Sequence, residues 1–142
     1  MKKFLLLIAL VISGMGLSAQ SRDVFEVEYD GYTLQFLPQD GAYECKVRIG
    51  EKPTVPTAIE IPSSVDLGGW SDYDVIGISE FGFQDCDKIT SVVMPNTIRE
   101  IDGNAFTNCT SMNNIELPEN LEIIGSYAFS GCSRLVQFTV PA

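Results

Sequence analysis

The stretch that decides the fold runs from residue 112 to residue 132 and reads Met112-Asn-Asn-Ile-Glu-Leu-Pro-Glu-Asn-Leu-Glu-Ile-Ile-Gly-Ser-Tyr-Ala-Phe-Ser-Gly-Cys132. Its landmark residues recur at intervals of 23 along the chain. The recurring sets are Phe83, Phe106 and Phe129; Cys86, Cys109 and Cys132; Pro95, Pro118 and Pro141; and Ile78, Ile101 and Ile124. So many columns in one phase indicate a repeat protein built from stacked units.

Each repeat is predicted to form one coil of a solenoid. The alternation Ile-Glu-Leu over 115–117 has the period of a strand whose two apolar side chains point inward. Pro118 ends that strand because proline cannot donate to a ladder, and a second extended stretch over 121–124 carries the chain back. The spacing of alanine, phenylalanine and cysteine over 128–132 predicts a single helical turn. One coil cannot bury its own apolar face, but stacked coils bury a continuous column.

An earlier copy of the repeat is split by an insertion. Residues 59–62, Ile-Glu-Ile-Pro, match residues 115–118, and residues 75–78, Val-Ile-Gly-Ile, match residues 121–124. The insert is assigned to 65–75, where Gly68-Gly69 predicts a β-hairpin turn. We therefore expect the solenoid to occupy residues 58–142.

The segment ahead of the solenoid predicts a small antiparallel sheet. Apolar residues alternate on either side of Asp30-Gly31, a pair that favours a type I′ hairpin turn, and a third strand is expected over 43–49. A solenoid must cover its first coil, so residues 20–57 are interpreted as an N-terminal β cap. The alternative is an independent binding module, although so short a sheet is hardly stable alone.

The repeat resembles the BspA-type (Treponema-type) leucine-rich repeat. That pattern, L-x-x-I-x-L-P-x-x-L-x-x-I-G-x-x-A-F-x-x-C, is carried nearly whole by residues 112–132, and the likeness spans residues 58–142. One departure is Gly82, where the pattern has alanine. The resemblance implies a mainly β leucine-rich-repeat solenoid with short helical turns, in a secreted or surface protein that binds macromolecules. Members of the family are linked to adhesion to host matrix or to other cells.

The N-terminus predicts export. Met1-Lys2-Lys3 is followed by an apolar run over 4–12 and then by small residues up to Ala19. This is the layout of a secretory signal peptide, with cleavage expected after Ala19. The apolar run is shorter than the roughly 20 residues that a transmembrane helix needs. We therefore expect a secreted or cell-surface protein and no membrane insertion.

Charge and composition exclude several classes of function. The chain has 9 Lys and Arg against 19 Asp and Glu, and loss of Lys2 and Lys3 would leave seven basic residues and a net charge of −12. Nucleic-acid binding is not expected, because phosphates require a basic face. The chain has no histidine, which removes the commonest general base and metal ligand. A thin coil also offers no deep cleft, so we expect no enzyme, no cofactor and no metal site.

Three cysteines share one inward column, at Cys86, Cys109 and Cys132, whereas Cys45 is out of register. We expect buried thiols, which behave as small apolar groups. A disulfide stays an open alternative, although parallel side chains suit that bond poorly.

A group of aspartates offers the alternative of a calcium site. Its members are Asp72, Asp74, Asp85 and Asp87. Because their spacing lacks the alternating ligands of a calcium-binding loop, a solvated acidic face is the preferred interpretation.

The candidate binding face is formed by the outward positions of the first strand in each coil, the usual binding surface of a solenoid. These positions are Glu60, Ser91, Val93, Asn114, Glu116, Gln137 and Thr139. The leading hypothesis is a protein-interaction or adhesion module for an extracellular protein, matrix or cell-surface macromolecule. One alternative is a secreted glycan-binding protein, for which Trp70 and Tyr73 in the insert are the obvious aromatic pair. The other is a structural spacer without a specific ligand.

The last coil predicts self-association. Phe138 and Val140 would be covered on one side only, which leaves an apolar strand edge open. We expect either that the chain is part of a longer array or that it associates through this C-terminal coil.

Overall fold

The computed structural model describes residues 10–12, 24–29, 32–40, 43–50, 56–68 and 71–139. These residues form short strands and no helix. The strands are β1 (Leu10–Ile12), β2 (Val24–Tyr29), β3 (Tyr32–Pro38), β4 (Glu44–Ile49), β5 (Ala58–Glu60), β6 (Ser64–Val65), β7 (Tyr73–Ile78), β8 (Ser91–Val93), β9 (Glu100–Ile101), β10 (Asn114–Glu116), β11 (Ile123–Ile124) and β12 (Gln137–Thr139). The predicted turns at Asp30-Gly31 and at Gly69 lie outside the described residues.

One long sheet joins the N-terminal strands to the coils. Its order is β1-β2-β3-β4-β7-β9-β11, with β6 paired to β7 in an antiparallel hairpin. The strands up to β4 are antiparallel, whereas β4, β7, β9 and β11 run parallel. Ser79 donates to the carbonyl of Val47 and Ile49 donates to that of Gly82, both at 2.9 Å. Strand β4 therefore occupies the place of a preceding coil and continues the solenoid's own sheet.

The opposite side of the solenoid carries two smaller parallel sheets. Strand β5 pairs with β8, and β10 pairs with β12, in the register that the 23-residue repeat predicts. Ala58 pairs with Ser91, and Asn114 pairs with Gln137. The mainly β repeat architecture is thus confirmed.

The core lies between these two sides and is built from the repeated columns. Phe106 is fully buried, and its ring centroid lies 5.3 Å from that of Phe83 and 5.4 Å from that of Phe129, with all three rings nearly parallel. Ile78 and Ile101 are also fully buried. No charged or polar side chain is buried among the described residues, so apolar stacking between coils is the main source of stability.

The segment expected to form a helical turn forms a chain of tighter turns instead. Cys109 donates to the carbonyl of Phe106 and Cys132 to that of Phe129, three residues back in each case. Backbone residues with positive φ interrupt any helix, and they recur at the repeat spacing: Phe81, Asn104 and Tyr127, followed by Asp85, Asn108 and Gly131. A left-handed residue reverses the backbone twist, so no α-helix can run through it.

Strand β1 lies inside the predicted signal peptide. It pairs antiparallel with β2, with Leu10 opposite Glu26 and Ile12 opposite Val24. Cleavage after Ala19, which stays a prediction, would remove β1 and leave β2 at the edge of the long sheet. The described part of the chain contains no helix long and apolar enough to cross a membrane.

Candidate binding surfaces

The predicted binding face forms two columns on the short-strand side of the solenoid. Within each strand the central residue is buried, at Ile59, Val92 and Ile115. The flanking residues turn outward because side chains alternate along a strand. One column contains Ser91, Asn114 and Gln137, and the other contains Glu60, Val93, Glu116 and Thr139. The backbones of Gln137 and Thr139 are in register, but their side chains lie outside the described part of the molecule.

Val93 is the apolar feature of this face. Its side chain is 59% exposed, it pairs with Glu60 across the β5–β8 ladder, and Glu116 follows in the same column. An exposed β-branched residue between two carboxylates has no role in the core. It is therefore the residue of this face best suited to contact an apolar group on a partner.

The face is not the continuous sheet that the repeat predicts. Strands β8 and β10 lie side by side without a strand ladder, although the amide of Asn113 donates to the carbonyl of Thr90 at 3.3 Å. A cavity of about 170 Å³ opens between them, lined by Ser91, Val92, Val93, Met94, Asn114 and Glu116. Strands of three residues offer few ladder positions, so a small displacement is enough to end the pairing.

Of the aromatic pair expected in the insert, only Tyr73 lies within the described residues. Trp70 lies outside the described residues. Tyr73 packs edge-to-face against Tyr43, with ring centroids 5.5 Å apart and ring planes at 73°, and Tyr43 is 50% exposed. Tyr43 could not be predicted as its partner from the sequence, because the pair forms only when the parallel strands β4 and β7 come together.

A network of ion pairs crosses the outer face of the long sheet. The Lys46 ammonium lies 2.8 Å from Glu100 and 2.9 Å from Asp102. Burial acts to lower the pKa of Lys46, but hydrogen bonds and charge attraction from the two carboxylates outweigh it and raise that pKa. Gly77 makes room for this crossing, since a Cβ there would lie 3.3 Å from Cγ of Lys46 and 3.2 Å from the carbonyl of Glu100.

Two arginine side chains also bond to neighbouring side chains of the chain. Arg99 pairs with Glu44 at 2.6 Å, and Arg48 donates to Gln35 at 2.7 Å, which in turn donates to Glu26. These basic groups are held by internal partners, so they form no basic patch for a polyanion.

No disulfide joins the four cysteines in this structure; Cys86 and Cys109 are buried in the repeated column, whereas Cys132 is only partly buried. The thiol of Cys109 donates to the carbonyl of Phe83 in the preceding coil, and that of Cys132 donates to the carbonyl of Phe106, both at 3.1 Å. Burial raises the pKa of Cys45 to about 12. The column thus adds a weak hydrogen bond to the apolar stacking of successive coils.

The aspartates considered for calcium are spread over the surface. A carboxylate oxygen of Asp85 accepts a hydrogen bond from the side-chain amide nitrogen of Asn108 at 2.8 Å, one coil away. The described residues contain no group of three or more acidic or thiol side chains placed to hold a metal ion.

These features define a solenoid of leucine-rich-repeat type, and comparison with known proteins places it in a family. The model of the BspA type leucine-rich repeat region matches residues 72–142. The chain therefore belongs to the BspA-type leucine-rich-repeat family. No functionally curated protein shows a significant match to it.

Solved structures of bacterial leucine-rich-repeat proteins share the fold. A protein from Bacteroides capillosus is 32% identical, with a TM-score of 0.70, over 82% of this chain and 83% of its own. One from Bacteroides ovatus is 31% identical, with a TM-score of 0.69, over 76% of this chain. A leucine-rich cell surface protein from Faecalibacterium prausnitzii is 30% identical, with a TM-score of 0.60, over 77% of this chain. The match spans only 28% of each of the last two proteins.

Proposed function

We propose that this chain is an exported binding module that attaches to an extracellular protein through the face formed by β5, β8, β10 and β12. Membership of the BspA-type family and the likeness to a cell surface protein support a role outside the cell. The chain carries no histidine, and its family is one of binding repeats, which favours binding over catalysis.

The observation that carries the proposal is the exposed Val93 on an otherwise polar column. The neighbouring carboxylates of Glu60 and Glu116 form a charged rim around it, and the cavity between β8 and β10 lies at its side. An apolar centre within a polar rim is the usual anatomy of a protein interface.

Binding of the full chain to immobilised extracellular-matrix proteins tests this role. Val93→Lys should weaken binding at least tenfold, because it places a charge at the apolar centre of the interface. Ile123→Lys is the matched control, since Ile123 is 53% exposed on the opposite sheet and should be dispensable. Equal effects of the two changes, or no binding to any matrix protein, would overturn the proposal.

Export is tested separately. Expression in a bacterial host with an intact secretion pathway should yield a product that begins at Gln20, as read by N-terminal sequencing. A product that retains Lys2 and Lys3 after export would contradict the predicted cleavage site.

A further inference from the structure

Two exposed aromatic residues occupy backbone positions that aromatic residues rarely adopt. Phe81 has φ +55° and Tyr127 has φ +59°, and Asn104, one repeat from each, has φ +56°. Glycine and asparagine tolerate this left-handed region, whereas a bulky side chain there is an outlier. We call the row Phe81, Asn104 and Tyr127 the turn ridge.

Burial of the two aromatic rings does not offset the backbone strain at these positions. Phe81 is 52% exposed and Tyr127 is 74% exposed, and neither belongs to the buried core or to the residues packed against it. The fold therefore needs the left-handed backbone at these positions but does not need an aromatic side chain, as Asn104 demonstrates. Strain that the fold does not require points to a use in binding.

Backbone hydrogen bonds hold the turn ridge in line. Phe81 donates to the carbonyl of Gly103 at 3.2 Å, and Asn104 donates to that of Ser126 at 3.0 Å. The carbonyl of Tyr127 accepts from the Thr107 hydroxyl at 2.9 Å. At strand-like spacing the two aromatic residues, two coils apart, are separated by on the order of 10 Å. The row is longer than one sugar ring and suits an extended ligand.

Polar groups lie between and beside the rings. The side-chain oxygen of Asn104 accepts from Thr107, and within the described residues its NH₂ group has no protein partner. This amide can donate hydrogen bonds to the hydroxyl groups of a ligand that lies along the ridge. An open cavity of about 640 Å³ adjoins Phe81 and leaves room for such a ligand beyond the ring.

We propose that the turn ridge binds a neutral glycan. The apolar C–H faces of sugar rings pack on aromatic rings, while their hydroxyl groups bond to polar groups alongside. Along the ridge an aromatic ring, an amide and a second aromatic ring follow one another. This arrangement suits a glycan better than a protein, because a protein interface needs a contiguous apolar centre. The chain's net charge of −10 disfavours polyanionic glycans. This site is distinct from the face around Val93 and does not depend on it.

Affinity electrophoresis of the full chain tests the site, with native gels that contain a neutral β-glucan, a neutral α-mannan or a neutral galactomannan. At least one polysaccharide should retard the chain. The double change Phe81→Asn with Tyr127→Asn should raise the dissociation constant at least tenfold. Because asparagine occupies the same position in the middle repeat, the double variant should melt at the same temperature or higher, so its loss of binding cannot come from unfolding.

Two control variants separate this site from other surfaces. Tyr43→Asn removes an equally exposed aromatic residue elsewhere, and Val93→Lys alters the proposed protein-binding face; both should leave the retardation unchanged. The proposal is overturned if no neutral polysaccharide retards the chain, if heparin alone does, or if the double variant is retarded like the unaltered chain.

Discussion

The ammonium nitrogen of Lys46 lies 2.9 Å from a carboxylate oxygen of Asp102, although the two residues are 56 positions apart. The pair joins the last N-terminal strand, β4, to the end of the second coil, across the intervening strand β7. Together with the bond from Lys46 to Glu100, it links the N-terminal strands to the repeats by more than backbone pairing. The N-terminal sheet and the solenoid are thus expected to unfold as one unit.

Replacing Lys46 should therefore weaken the whole chain. Lys46→Met keeps the aliphatic stem but removes the charge, leaving Glu100 and Asp102 without a partner, and should cost about 1 to 2 kcal/mol. Arg99→Met breaks the more exposed pair with Glu44 and should cost less. Urea unfolding of both variants measures the difference. A larger effect from Arg99→Met would contradict the claim that the Lys46 ion pairs contribute more to stability than the Arg99–Glu44 pair.

The same ion pair predicts a dependence on alkaline pH. The raised pKa of Lys46 means that the folded state holds its proton more tightly than the unfolded state, where the value is 10.5. The stabilisation is complete below that value and disappears as the pH rises through the higher folded-state pKa. The difference in free energy of unfolding between the unaltered chain and Lys46→Met should stay constant near neutral pH and shrink as the pH rises past 10.5 towards the folded-state pKa. A difference that grows with pH would refute this.

The phenylalanine stack supplies a prediction about the core. Phe106→Ala removes a fully buried ring from between two others and should cost about 3 to 5 kcal/mol, because the cavity cannot collapse between fixed coils. Glu116→Ala, outward on a neighbouring strand, should cost at most about 0.5 kcal/mol. Thermal and urea unfolding provide the comparison. Similar losses for the two variants would show that the repeat register is wrong.

The strand register and the core columns could be read from the sequence because a period of 23 places like residues above one another. The phenylalanine stack and the alternation around Ile115 follow from that period alone. The positive φ of Phe81 and Tyr127 could not be predicted, since aromatic residues give no signal for a left-handed backbone. The missing strand ladder between β8 and β10 could not be predicted either, because it depends on hydrogen-bond geometry rather than on residue type.

The departure at Gly82 has an explanation that only the structure provides. A Cβ at this position would lie 2.7 Å from the carbonyl oxygen of Ser79 and 3.4 Å from that of Val47. Val47 belongs to β4, which packs where a preceding repeat would otherwise lie. In the next coil the matching residue, Ala105, is fully buried. The contact that favours glycine is therefore the one with Ser79 inside the same coil, because the distance to Val47 is an ordinary van der Waals contact.

The cysteine column predicts selective alkylation. Cys132 is only partly buried, and hydrogen bonding with Cys109 lowers its pKa, while the same interaction, together with burial, raises the pKa of Cys109. Iodoacetamide should therefore modify Cys132 first in the folded chain, because it is the more accessible and the more readily ionised of the two thiols. Peptide mass spectrometry identifies the site. Faster modification of Cys45 or Cys109 under native conditions would contradict the prediction.

The dimensions of the face around Val93 limit its affinity. Strands of three residues spaced by about 4.8 Å present only a few hundred Å², whereas a stable interface needs about 800 Å² from each partner. The break between β8 and β10 divides even this area. A single copy should therefore bind a matrix protein with a dissociation constant in the micromolar range or weaker.

Display of two copies on one scaffold should tighten apparent binding through effective concentration. Surface plasmon resonance compares the two formats. A nanomolar one-to-one complex that Val93→Lys abolishes would show that the face recruits contact area beyond these strands.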